Sequence, residues 1–199
     1  MILLSSAAQN IFWLGRYLSR IQQICSLLPV KDDEYAIKYS HLFCLPAWNS
    51  SSLNGLFLDP EQPFSISAQF ACVRDNVQQL RAVLSGYAYA ELNKLTKIAD
   101  EKTLTVCQVV SDCSEVLEGE VEQVFLFYAL GRAVELLDNQ CRLELSADEQ
   151  IHEIAKILKL LKSYGWDTSE TSWDQLVEDA NMSTLYQFCN EVALMFEEV

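Results

Sequence analysis

Glycine and proline are scarce in this chain of 199 residues, which contains 6 glycines and 4 prolines. Residues that interrupt helices are therefore few, and long stretches of the chain are free to be helical. The few glycines also form neither of the two common glycine-rich loops that bind phosphate groups. These absences exclude nucleotide binding through such a loop and favour an all-α fold.

Positive charge and long apolar runs are also in short supply. The chain has 14 lysines and arginines against 28 acidic residues, for a net charge of −14. Such a surface repels nucleic acid and anionic membranes alike. The longest apolar run, 124–130, is too short to span a bilayer, and the apolar start of the chain is too short for a secretory signal. We expect neither nucleic acid nor a membrane as a partner.

The seven cysteines form no Cys-x-x-Cys pair and mostly occupy apolar positions of helical patterns, which is typical of reduced thiols in a cytoplasmic protein. The chain has only two histidines. Glu149 and His152 have the spacing of half a di-metal site, but the other half is missing. Neither histidine lies in a recognisable cysteine-hydrolase context. We therefore predict no metal, no cofactor and no Cys-His nucleophile.

The most informative pattern that is present is a doubled Leu-Gly-Arg segment. Residues 14–20 and 130–136 both begin with it, and each copy lies in a stretch with strong helical periodicity. Aligned on Leu-Gly-Arg, the two stretches also match at several apolar positions. The doubling predicts two pseudo-equivalent helices within one bundle.

Helical periodicity extends over most of the remaining chain. It predicts a single-domain bundle of seven or eight helices over 1–199, with an irregular loop near 46–63, where prolines, serines and asparagines concentrate. A long bent helix or two stacked ones are expected over 65–99, and another helix over 102–117. Ser146 and Ser172 each precede an acid or amide by three residues, which is the spacing of a capping box.

Two groups of charged residues are candidates for a binding site. In the first, Arg16, Arg20, Arg132 and Glu135 lie opposite the apolar stripes of the doubled helices, at about 100° of rotation per residue. Either they form a solvated outer face with weak salt bridges, or they form a cluster that binds a carboxylate or phosphate. The second group lies in one further helical region. Salt bridges at the helix surface explain it as well as a binding site does, and its members are Arg74, Asp75, Asn76, Arg81 and Asn93.

Three blocks resemble the alpha-E family of bacterial proteins, which are named for a Glu-Arg motif. Residues 10–20 match the family's opening except that Ser19 replaces a glutamate. Residues 65–93 resemble its middle block. Residues 131–136 are similar to its second Gly-Arg-x-x-Glu-Arg, with Leu136 in place of the arginine. Each copy has thus lost one member of the pair, so Arg20 and Glu135 are expected to form the one surviving pair.

The resemblance implies an all-helical fold and an association with ATP-grasp amide ligases or transglutaminase-like proteins that modify or synthesise peptides. Our leading hypothesis is a cytoplasmic accessory protein without catalysis of its own. One alternative is an enzyme of peptide or amino-acid metabolism that uses Glu135 as acid or base. Another is a purely structural bundle, and a homo-oligomer stays open. The predicted ligand-binding residues are Arg16, Arg20, Arg74, Arg81, Arg132 and Glu135.

Overall fold

A computed structural model of the protein describes residues 3–101, 106–168 and 170–197. In these ranges every regular element is an α-helix, which confirms the predicted all-α class. In chain order the helices are α1 (Ser5–Leu27), α2 (Asp33–Leu42), α3 (Ser50–Leu58), α4 (Ile66–Gln79), α5 (Gly86–Glu101), α6 (Val106–Glu118), α7 (Glu122–Leu143), α8 (Asp148–Ser163), α9 (Glu170–Glu178) and α10 (Met182–Leu194).

The described ranges contain ten helices, so the predicted number of seven or eight is wrong. One additional helix, α3, lies within 46–63, where we predicted an irregular loop. It forms because Asn49 and Ser52 complete a capping box that satisfies the free amides at its first turn. The stretch 65–99 consists of two helices, since the Ser85 hydroxyl accepts a hydrogen bond from the Ala88 amide and starts α5. Residues 102–105, the predicted start of the next helix, lie outside the described residues.

Neither capping box predicted from the sequence forms as expected. The residue before α8 is Ala147, and the Ser146 hydroxyl donates a hydrogen bond to the Asp148 carboxylate instead. Helix α9 begins at Glu170, so Ser172 lies inside the helix and is buried. Both helices carry a carboxylate in the first turn, where it interacts favourably with the helix dipole, and this favours the observed starts.

Helices α1 and α7 form the centre of the bundle. Helix α1 packs against α7 along its length and also against α4 and α6, while α7 packs against α8 as well. Because neighbours surround α1, its charged side is not a solvated outer face. Ser19 is only 7% exposed, and Glu135 on α7 is only 5% exposed.

The two helices touch where the doubled segments cross. A Cβ atom on Gly15 would overlap the carbonyl oxygen of Tyr128 and lie 3.0 Å from the Arg132 nitrogen. A Cβ atom on Gly131 would overlap the carbonyl oxygen of Phe12 and lie 3.1 Å from the Arg16 nitrogen. The contacts are reciprocal, and only glycine allows the two backbones to come this close.

The seven cysteines are free thiols that differ in exposure. Cys113 is buried, Cys44 and Cys107 are exposed, and the others are half-buried. In the described part of the chain, none of the helices has both the length and the apolar character needed to cross a bilayer.

Candidate binding site

Glu135 is the centre of a cluster of charges between α1 and α7. Arg16 and Arg20 are four residues apart on α1, so they lie on one side of that helix, one turn apart. Arg16 Nε donates a hydrogen bond of 2.8 Å to Glu135 Oε2. Arg20 binds both carboxylate oxygens, through Nε at 2.6 Å and Nη2 at 3.0 Å. The pair of Arg20 and Glu135 expected from the sequence is therefore present, and Arg16 joins it.

The arginines determine the charge state of Glu135. Burial disfavours the ionised carboxylate, but the guanidinium groups of Arg20 and Arg16 outweigh this effect and hold the pKa of Glu135 below its usual value. In the same way, burial disfavours the charge on Arg20, while Glu135 more than compensates and raises the pKa of Arg20. Glu135 and Arg20 are therefore both ionised at neutral pH. A carboxylate held in this way is a weak base and carries no proton to donate.

Further side chains keep the two arginines in place. The guanidinium of Arg16 lies over the ring of Trp13 at 5.2 Å from the centroid, and that of Arg20 lies over Tyr17 at 5.8 Å. From α4, Gln69 Oε1 lies 3.5 Å from Arg20 Nη1. Cation–π contacts of this kind fix the planes of the guanidinium groups and leave their edges directed at the carboxylate.

A pocket of about 190 Å³ lies beside the cluster, and we call it the aromatic pocket. Arg20 and Glu135 contribute to its polar side, together with the amide side chains of Gln23, Gln69 and Asn139. The aromatic part of the lining comes from α2 and the residue after it, from α3 and from the segment before α4: Tyr39, Phe43, Phe57 and Phe64. The pocket thus combines flat apolar walls with neutral hydrogen-bonding groups and paired charges.

A second ion pair extends the polar side of the aromatic pocket. Arg142 Nε lies 2.8 Å from Asp138 Oδ2, and the Arg142 guanidinium also stacks over Phe43 at 5.5 Å. Neither residue is among those predicted from the sequence. Asp138 and Arg142 follow Glu135 at spacings of three and seven, so they share its side of α7, and this periodicity is the signal that could have identified them.

The other three predicted site residues are on α4, after α4 and on α7. Arg132 lies on another cavity and faces Glu118, with 3.6 Å between Nη1 and Oε1. Arg74 is half-buried on α4 and Arg81 is exposed in the turn after that helix. Neither of the latter two lines the aromatic pocket. Of the six predicted residues, Arg16, Arg20 and Glu135 meet in one cluster, and Arg132 lies on the other cavity.

Glu149 and His152, the half-motif for a metal, are both exposed on α8. Among the described residues, no three His, Cys, Asp or Glu side chains are close enough together to hold a metal ion.

Residues 3–194, nearly the whole chain, match the model of the Alpha-E family, a predicted alpha-helical domain with a conserved ER motif. The chain belongs to the Alpha-E family. Neither the curated proteins nor the solved structures contain a match to it. In this Alpha-E chain the arginine and the glutamate that pair come from different helices, Arg20 from α1 and Glu135 from α7.

Proposed function

We propose that this Alpha-E protein is a binding protein without catalysis of its own, and that its aromatic pocket takes a short peptide-like ligand. The observation that carries the proposal is the state of Glu135. Its carboxylate accepts three hydrogen bonds from two arginines, beside a pocket with aromatic walls. Such a carboxylate serves to orient the arginines, which favours binding over the acid-base role in our enzymatic alternative.

The neutral groups of the pocket match the chemistry of a peptide. Gln69 Oε1 contacts Arg20 and Gln23 Nε2 donates to Ser19, which leaves the Gln69 N–H groups as donors and the Gln23 oxygen as an acceptor. Together with the Asn139 amide they supply the groups that a peptide N–H and C=O require. The aromatic wall suits an apolar side chain. At about 190 Å³ the pocket is smaller than the ~300 Å³ at which pockets for drug-sized ligands begin, so one or two residues fit.

The biological setting of the proposal comes from the family resemblance. We propose that the protein assists an ATP-grasp amide ligase or a transglutaminase-like protein in the cytoplasm, as a bacterial accessory factor. A protein that holds a peptide-like substrate or product without changing it fits such a role.

Titration with N-acetyl-phenylalaninamide, followed by NMR, tests the proposed ligand class. We expect binding that Gln69→Leu weakens at least tenfold, because the amide that faces the peptide group is lost. Gln79→Leu makes the same change at an exposed position of α4 and is the matched control, with unchanged affinity expected. Absence of binding to the native protein contradicts the proposal and favours the purely structural alternative.

The enzymatic alternative is tested separately with Glu135→Gln in a system reconstituted with the partner ligase. Unchanged turnover contradicts a role of Glu135 as acid or base. Loss of turnover, with the circular-dichroism spectrum and the affinity for the peptide probe both unchanged, contradicts our proposal instead.

A further inference from the structure

A second cavity, of about 440 Å³, lies where α1 and α7 meet α6. Gln23 reaches both this cavity and the aromatic pocket, but its other lining residues are different. Its polar lining consists of hydroxyl-bearing and charged side chains: Ser19, Ser114, Tyr128, Arg132, Glu115 and Glu118. Neither the proposed peptide-binding role nor the paired Glu135 uses it.

The reciprocal crossing relates this cavity to the Glu135 cluster. Because Gly15 and Gly131 meet each other's helix in the same way, residues at equal distances after each glycine occupy equivalent positions. Arg132 is thus the counterpart of Arg16, and Ser19 is the counterpart of Glu135. Both Ser19 and Glu135 are buried, and Ser19 and Arg132 line the same cavity.

Because residue 19 is a serine, Arg132 has no buried carboxylate beside it that corresponds to Glu135 beside Arg16. Glu135 is long enough to reach the Nε atom of Arg16, whereas the Ser19 hydroxyl is attached directly to Cβ. In the part of the chain that the structure describes, the buried Nε of Arg132 has no hydrogen-bond partner. Glu118 lies 3.6 Å from the other end of the guanidinium, a long contact between half-exposed side chains.

We propose that this cavity is a second binding site, in which the carboxylate of a zwitterionic α-amino acid binds Arg132 in the position that a glutamate at residue 19 would occupy. Glu115 and Glu118 repel a simple anion but attract the ammonium group of such a ligand. Arg132 binds its carboxylate through a charge-assisted hydrogen bond. The Tyr128 hydroxyl donates to Ser114 and the Ser114 hydroxyl to the Val110 carbonyl, so the Ser19 hydroxyl is the one that can donate a further hydrogen bond to the ligand. The volume admits a large side chain.

The ligand class is tested by NMR titration with leucine, leucinamide and N-acetyl-leucine. Leucine has both charges, leucinamide lacks the carboxylate and N-acetyl-leucine lacks the ammonium group. We expect leucine to shift the resonances of residues around the cavity and to bind at least tenfold more tightly than either analogue. No binding of leucine overturns the site, and equal binding of N-acetyl-leucine overturns the zwitterion class.

The position of the ligand is tested with Ser19→Glu, which supplies the carboxylate from the protein itself. We expect loss of leucine binding by at least tenfold and a rise in the thermal midpoint of about 2 °C or more. Ser26→Glu places the same charge on an exposed position of α1 and should leave leucine binding unchanged. If Ser19→Glu does not fold, Arg132→Gln, which changes a side chain with 40% exposure, should abolish binding while the protein stays folded. Leucine binding that survives both changes overturns the proposal.

Discussion

Arg16 Nε and Glu135 Oε2 are joined by a hydrogen bond of 2.8 Å, although 119 positions separate the two residues in the chain. The side chains are 13% and 6% exposed, so water screens their attraction far less than that of a surface pair. The second arginine, Arg20, completes the coordination of the carboxylate. The cluster therefore links the two central helices and presents a fixed polar surface to the aromatic pocket.

Glu135→Gln should destabilise the fold by about 3 kcal/mol, because it leaves two partly buried guanidinium groups without a counter-charge. Urea unfolding followed by circular dichroism measures the loss. Glu118→Gln removes a carboxylate from a long, half-exposed contact with Arg132 and is the matched control, with an expected cost below about 1 kcal/mol. Equal costs for the two substitutions would falsify the stabilising role of the buried cluster.

Acid should remove the contribution of Glu135 to stability. Its pKa in the folded state lies below the unfolded value of about 4.3, so the contribution is fully present above that value and is lost as the pH falls through the folded pKa. The difference in unfolding free energy between the native protein and Glu135→Gln should stay constant from pH 7 to about 5 and shrink below about pH 4. A difference that grows on acidification contradicts the direction of this pKa shift.

Gly15→Ala and Gly131→Ala should each destabilise the protein by more than about 2 kcal/mol, because the new methyl group overlaps a backbone carbonyl of the other helix. Gly55→Ala is the matched control. Gly55 lies inside α3 with nothing within 4 Å of the added Cβ, so alanine should stabilise the protein by about 0.5–1 kcal/mol. Thermal unfolding of the three variants measures the direction and size of each change in stability. A loss of stability in Gly55→Ala as large as in Gly15→Ala argues against close helix packing as the cause.

Iodoacetamide should modify Cys44 and Cys107 long before Cys113. The first two thiols are exposed. Cys113 is fully covered, and burial raises its pKa to about 12, so at pH 8 roughly one Cys113 thiol in ten thousand is ionised. Mass spectrometry of peptides from timed reactions measures the order. In urea all seven cysteines should react at similar rates, and early modification of Cys113 in the native state would show that the core is open.

The sequence was sufficient to predict the helical class and the central ion pair. Helical periodicity located most of the helices, because few glycines and prolines interrupt it. Arg20 and Glu135 were identifiable as partners because each doubled segment retains a different half of the Glu-Arg pair. Complementary charges in the two similar segments predict which side chains meet.

The surroundings of that pair were not predictable in the same way. Periodicity shows which side of a helix a residue occupies, but not how many neighbours cover that side. The charged side of α1 resembles a solvent-facing surface in the sequence, and the packing of further helices around α1 buries it. Tyr39 and Phe43 have the spacing of ordinary core residues of α2, so their place in the aromatic pocket depends on tertiary packing alone. Helix α3 depends on a cap formed by Asn49 and Ser52, residues that are equally common in loops.

The crossing of α1 and α7 also has a consequence for the order in which the protein is assembled during synthesis. Helix α1 ends at Leu27 and α7 begins at Glu122, so 122 − 27 = 95 positions separate them. At about 5–20 residues per second, the ribosome needs roughly 5–19 s to advance from one to the other. Throughout that interval Gly15 and Arg16 lack their contacts with α7, and only the helices between α1 and α7 in the chain can cover α1. Helix α1 is thus made well before α7, and its contacts are completed only after α7 has emerged.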